Sequence, residues 1–279
     1  MKLRLFEQEL TEVRRFCRVT VLTTFILIAT VSCTKSSDVL VTEIGVTPAK
    51  APSTKPSKAG DFYLQGQYKH IKGDSQGAIA SYTKAISLNP NYAEAFNSRG
   101  LVHFEMGDKQ AAIADYEEAI RINPNYAQAY NNLGDARADQ KDIYGAIEDY
   151  NQAVRLAPNY AQAYNNRGNA HAAQGNKSAA IEDYNQAIRL NPQYAVAYNN
   201  RANARAAQGD TEGAIADYNQ AIRLNPKFAA AYNNRGNARA AQGDKQGAIA
   251  DLQKSANLFQ QQNNQSMYQQ VMNNLKEVK

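Results

Sequence analysis

The 279-residue chain has no Trp, eight Phe and four Met. A deep single core of large side chains is therefore excluded, although apolar residues make up 43% of the composition. Only two cysteines occur, Cys17 and Cys33, so there is no disulfide framework and no Cys-based metal site. No long run of apolar residues follows residue 33, which excludes a polytopic membrane protein. Charge of one sign is also missing. The net charge is +5, but from residue 59 onward 22 basic side chains face 21 acidic ones. With no basic cluster interleaved with aromatics, nothing tracks phosphates and no nucleic-acid partner is expected. What is abundant is Ala, at 46 residues, and Asn, at 28. Alanine is the strongest helix former and lets helices approach closely. Thin layers of closely packed helices with an amide-rich surface follow.

The first 33 residues have the pattern of an export signal. Lys2, Arg4, Arg14, Arg15 and Arg18 precede a charge-free apolar stretch, 19–32, which is shorter than the ~20 residues of a spanning helix. It ends Ala29-Thr30-Val31-Ser32-Cys33. This resembles a bacterial lipoprotein signal, which has a small residue before an invariant Cys; Thr30 departs from the usual Leu of that motif. The resemblance implies cleavage before Cys33 and lipidation of its thiol, with the remainder anchored to a cell membrane outside the cytoplasm. The alternative is an uncleaved signal anchor, which has the same orientation. Residues 33–58 then form a tether. Pro48, Pro52 and Pro56 lie among Ser, Thr and Lys without helical periodicity, the composition of an extended spacer.

The other five prolines, Pro90, Pro124, Pro158, Pro192 and Pro226, fall 34 residues apart. Placing them at position 32 of a unit divides the chain into 59–92, 93–126, 127–160, 161–194, 195–228 and 229–262. Position 4 is Phe62, Phe96, Tyr130, Tyr164, Tyr198 and Tyr232; position 8 is Gly, or Ala202; position 20 is always Ala; position 24 is Tyr, or Leu252. Small residues at 8, 20 and 27 allow two antiparallel helices to touch, and the rings fill what remains. Gly at position 15 suits a left-handed helix end and is replaced once, by Lys141; Asp or Asn at 16 suits an N-cap. The pattern resembles the tetratricopeptide repeat. That resemblance implies an all-α, right-handed α-solenoid of helix-turn-helix units. In the last unit Gln260 replaces proline, so helix B runs on, and 263–279 reads as a C-terminal capping helix with Met267, Val271 and Leu275 on one side.

In this family positions 2, 5, 6, 9, 12 and 13 of the first helix line a concave groove. Carried over, position 5 is Asn97, Asn131, Asn165, Asn199 and Asn233; position 6 adds Asn132, Asn166, Asn200 and Asn234; position 9 adds Asn169, Asn203 and Asn237. A carboxamide offers donors and an acceptor, which match a peptide backbone. The resemblance is to asparagine ladders that hold extended peptides with little regard to sequence; the alternative is an ancestral helix copied by duplication. The N-terminal half of the groove carries Tyr63, Leu64, His70, Ile71, Leu101 and Phe104 with Glu94, Glu105, Asp135 and Asp139, whereas the C-terminal half carries alanines at 12 and 13. Arg at positions 7 and 11 reads as covering the helix pair with its aliphatic stem while its head reaches solvent or meets Asp149, Asp183 and Asp217 at position 23, rather than as an anion-binding row. There is no H-E-x-x-H, no P-loop and no G-x-S-x-G, so neither catalysis nor a cofactor is expected. The expected role is a protein–protein adaptor or assembly factor whose partner is a protein or extended peptide. A structural spacer or multimerising subunit of a membrane complex is the alternative.

Overall fold

A computed structural model describes residues 58–278. The signal, Cys33 and nearly all of the tether lie outside the described residues. Among the described residues there are thirteen helices: α1 Ala59–Ile71, α2 Ser75–Leu88, α3 Ala93–Glu105, α4 Lys109–Ile122, α5 Ala127–Asp139, α6 Ile143–Leu156, α7 Ala161–Ala173, α8 Lys177–Leu190, α9 Ala195–Ala207, α10 Thr211–Leu224, α11 Ala229–Ala241, α12 Lys245–Gln261 and α13 Gln265–Val278. Odd and even helices pair into six antiparallel hairpins, and successive hairpins stack as a right-handed solenoid. None of these helices is long and apolar enough to cross a membrane.

Each hairpin is built by the same local chemistry. The first helix ends in a Schellman turn: in repeat one Gly73 has φ +78°, and the Asp74 N–H donates to the Lys69 carbonyl at 2.9 Å. The residue after that glycine caps the second helix, as where Asp74 Oδ1 accepts from the Gly77 N–H at 2.9 Å. Lys141 adopts φ +72° to complete the same turn in repeat three without glycine. Asn89, Asn123, Asn191 and Asn225 each accept, through Oδ1, from the N–H two residues on, shaping the turn around proline; Ala157 has no side chain to do so.

Packing is shallow, as the alanine content requires. Ala at positions 3, 20 and 27 is fully buried in the interior repeats. A Cβ built on Gly66 would lie 2.5 Å from the Tyr82 ring, and one on Gly134 or Gly168 2.7 Å from Tyr150 or Tyr184. The ring at position 24 thus sits directly on the backbone at position 8. Repeat five accommodates Ala202 there, fully buried. At the C-terminal end α12 runs on for 17 residues, and Leu258, Phe259, Val271 and Leu275 close the core beneath α13.

Candidate functional site: the inner face of the first helices

The asparagines of the first helices divide by position. Those at position 5 do not line an open groove. Asn97, Asn131, Asn165, Asn199 and Asn233 are 0–6% exposed, because position 5 points between consecutive first helices rather than out of them. This corrects the expectation that these five meet a peptide. They belong to a hydrogen-bonded ladder that joins one repeat to the next. Asn132 donates to Asn97 Oδ1 at 3.0 Å, Asn166 to Asn131 Oδ1 at 3.1 Å, Asn200 to Asn165 Oδ1 at 3.1 Å and Asn234 to Asn199 Oδ1 at 3.2 Å. From Asn166 on, the same Nδ2 also donates to position 9 of the preceding repeat, at 2.9–3.0 Å, which uses both of its hydrogens. Asn274 of α13 repeats the gesture towards Asn233 and Asn237, so the capping helix terminates the ladder as well as the core. The period-34 pattern does not reveal Asn274, which sits in α13 out of register with position 6.

Position 9 is different. The Oδ1 of Asn169 and Asn203 accepts from the hydroxyls of Tyr184 and Tyr218 at 2.8 and 2.7 Å and from the next repeat's asparagine. That fixes which end of each amide faces inward. The Nδ2 groups of Asn169, Asn203 and Asn237 donate to nothing among the described residues. They form a row of amide donors, one per repeat, on the inner face of repeats four to six.

The arginines occupy the opposite flank of the first helices. Arg167 grips Asp183 through Nε and Nη2 at 2.9 and 2.6 Å, and its Nη1 donates to Asn151 of the preceding repeat at 2.8 Å. Arg99, Arg201 and Arg235 repeat the arrangement, each over the ring at position 4. Each is a bidentate clamp on a buried Asp. These heads are spent on intramolecular pairs, as the sequence reading favoured. Position 11 supports the same Asp through Arg205 and Arg239 at 2.8 Å, whereas His103 and His171 stand 4.0 and 3.8 Å from theirs, beyond hydrogen-bond reach.

Repeat three departs from this plan. Leu133 stands at position 7, so Arg137 takes over from position 11, reaching Asp149 at 2.9 Å and Glu117 at 3.1 Å. Burial pushes the Asp149 carboxyl up to about 7 against the pull of Arg137, and Glu148 and Asp142 push the same way. Asp135 replaces the position 9 asparagine. Its carboxyl accepts from Tyr150, Asn166 and Asn131 at 2.6, 2.9 and 3.3 Å, and burial also raises it to about 7.

The N-terminal half of the inner face carries the acids and the exposed apolar groups. Leu64 and Ile71 are 49% and 45% exposed. His70 pairs with Glu105 at 2.6 Å, and Lys109 pairs with Asp139. Among the described residues no group of His, Cys, Asp and Glu could hold a metal ion.

Comparison with known proteins agrees with this geometry. Family models described as TPR repeat and tetratricopeptide repeat match residues 61–107, 134–175 and 202–243, 93–126 and 161–194, and 115–148 and 183–216, an unbroken run from 61 to 243. The chain belongs to the tetratricopeptide repeat family. Members of this family generally act as non-enzymatic scaffolds that bind other proteins or peptides. No curated protein matches the chain by sequence. Among solved structures, that of MamA is 28% identical with a TM-score of 0.53, covering 59% of this chain and 96% of that one. PilF of Pseudomonas aeruginosa is 17% identical, TM-score 0.67, covering 77% and 97%. YrrB, described as a TPR protein with an unusual peptide-binding site, is 19% identical, TM-score 0.54, covering 70% and 97%. The last two likenesses concern the fold.

Proposed function

We propose that this tetratricopeptide repeat protein is an adaptor, anchored outside the cytoplasm through a lipidated Cys33, that holds an extended peptide or protein segment along the inner face of its first helices. The observation that carries the reading is the row of unspent amide donors on Asn169, Asn203 and Asn237. Their acceptor ends are consumed by tyrosine hydroxyls and neighbouring asparagines, and the alanines at positions 12 and 13 keep the surface beside them low. Such a row suits backbone carbonyls and is indifferent to side chains. The short apolar stretch before Cys33 supports the anchor; an accumulated precursor on inhibition of the lipoprotein signal peptidase is expected, and unaltered processing would remove it.

Replacing Asn166 or Asn200 by Ala would break the ladder and confuse stability with binding. Position 9 offers a cleaner change, because Asp135 already shows that a carboxyl fits there with the same inward bonds. Read at pH 8.5, where carboxyls held up to about 7 as Asp135 is are ionised, the triple variant N169D/N203D/N237D keeps the acceptors and replaces the donors with oxygens that repel a carbonyl. Binding to an array of unrelated peptides of about 15 residues, long enough at ~3.3 Å per residue to cross three repeats, is expected to fall about tenfold or more. Equal binding by the variant would overturn the reading.

A further inference from the structure

The second helices of repeats two to five each carry an exposed arginine in the last turn, at position 29: Arg121, Arg155, Arg189 and Arg223. The carbonyl end of a helix favours a cation there. What differs between the repeats is the residue one turn earlier, at position 26. In repeat two it is Glu118, whose carboxylate accepts from Nε and Nη2 of Arg121 at 2.8 and 2.7 Å and is held below its ordinary pKa by that contact. In repeats three to five it is glutamine. Arg155 donates to Gln152 Oε1 through Nε and Nη2 at 2.9 and 2.7 Å, and Arg189 and Arg223 donate through Nη2 to Gln186 and Gln220. A neutral amide orients the guanidinium without answering its charge. Every other arginine among the described residues forms an ion pair with an acid, whereas these three form none with any described residue.

One turn before each of the three, on the same helix face, stands an exposed asparagine, Asn151, Asn185 or Asn219. Its Oδ1 accepts from the next repeat's Arg167, Arg201 or Arg235 at 2.8, 2.6 and 2.6 Å. The acceptor end of the amide is therefore spent, and its Nδ2 donates to nothing among the described residues. Repeats three to five thus present, once per repeat on the second helix, a guanidinium and an amide donor one turn apart. Repeat two shows the same guanidinium with its carboxylate in place.

We propose that α6, α8 and α10 hold an acidic segment of a partner protein, whose carboxylates meet Arg155, Arg189 and Arg223 as Glu118 meets Arg121. The surface favours a polypeptide over an anionic bilayer. Exposed Glu148 and Glu182 stand two turns before Arg155 and Arg189 on the same faces, where a flat anionic surface would press on them as well. A chain can follow the arginines and miss those acids. Within two turns of the arginines, α6, α8 and α10 expose no large apolar side chain that could enter a bilayer. This surface shares no residue with the inner-face row of Asn169, Asn203 and Asn237, so it does not depend on that row binding a peptide.

The test is fluorescence anisotropy on the full chain in a non-ionic detergent. The probe is a labelled peptide of about twelve residues, half of them glutamate, long enough at ~3.3 Å per residue to cross three repeats. A counterpart with glutamine at every glutamate is the control. The variant Q152E/Q186E/Q220E copies repeat two: it answers each arginine within the chain and leaves the arginines and the core as they are. It should weaken binding of the glutamate peptide about tenfold or more, and R155Q/R189Q/R223Q should do the same. Raising salt from about 50 to about 300 mM should weaken binding by the unaltered protein several-fold. No binding of the glutamate peptide, equal binding of the glutamine peptide, or equal binding by Q152E/Q186E/Q220E each overturns the proposal. Co-sedimentation with phosphatidylglycerol vesicles that Q152E/Q186E/Q220E abolishes, with peptide binding unchanged, would assign the arginines to a membrane instead.

Discussion

Repeat three carries Leu133, Asp135, Lys141 and Ala157 where repeat four carries Arg167, Asn169, Gly175 and Asn191. The helices have the same lengths and the core alanines are equally buried. What differs is the polar wiring. In repeats four to six each buried Asp is gripped bidentately and each ladder group is a neutral amide. Repeat three holds Asp149 by one arginine hydrogen and places a carboxyl in the ladder. The comparison teaches that alanine packing and turn chemistry suffice to form a repeat, while the inter-repeat hydrogen bonds set how firmly it is held.

The largest expected effect breaks the better-wired side. Asp217 accepts from Arg201 at 2.6 and 2.8 Å and from Arg205 at 2.8 Å. Asp217→Asn should destabilise by about 3 kcal/mol, at the low end for a broken buried pair because both arginines keep some water. Asp149→Asn, where the carboxyl is raised to about 7 and meets a single arginine hydrogen, should cost under about 1 kcal/mol at pH 7. Urea midpoints compare the two, and equal losses would dissolve the contrast.

The second prediction concerns pH. Asp135 and Asp149 have folded-state values raised from 3.8 to about 7. Between those limits the folded chain binds more protons than the unfolded one, so stability falls as pH rises from about 4 to about 7 and is flat above. Amide exchange of α5 and α6, corrected for intrinsic rates, should therefore show less protection at pH 7.5 than at pH 5. Asp135→Asn should flatten that slope by restoring the amide of the later repeats. Protection that grows with pH in the unaltered protein would contradict it.

The smallest effect is in the turn. Lys141 at φ +72° pays a left-handed strain of about 1–2 kcal/mol that Gly175 avoids, offset by the greater freedom glycine has when unfolded. Lys141→Gly should raise stability by about 0.5–1 kcal/mol in thermal melts, and Gly175→Lys should lower it by a similar amount.

The helix pairs, the glycine turns, the Asp and Asn caps, the run-on of α12 and the capping helix were all legible in the primary structure. Each is a local event, decided by φ, by a missing N–H or by a side chain reaching three residues along the chain. The pairing of Arg with the Asp at position 23 was legible too, because the 16-residue offset between them recurs in repeats two, four, five and six. The division of the asparagines was not. Positions 5, 6 and 9 share one helical stripe, and spacing alone cannot say which of them a neighbouring helix covers.

Sequence by itself determined that this chain is a stack of alanine-packed helix pairs, since a strict period of small residues and rings permits little else. Tertiary structure alone decided that position 5 is buried, that position 6 is spent on the preceding repeat, that Asn274 ends the ladder, and that position 9 keeps its donors. The physical reason is that an amide's capacity to bind a ligand depends on which of its hydrogens are already used, and that is set by residues 15, 31 and 35 positions away.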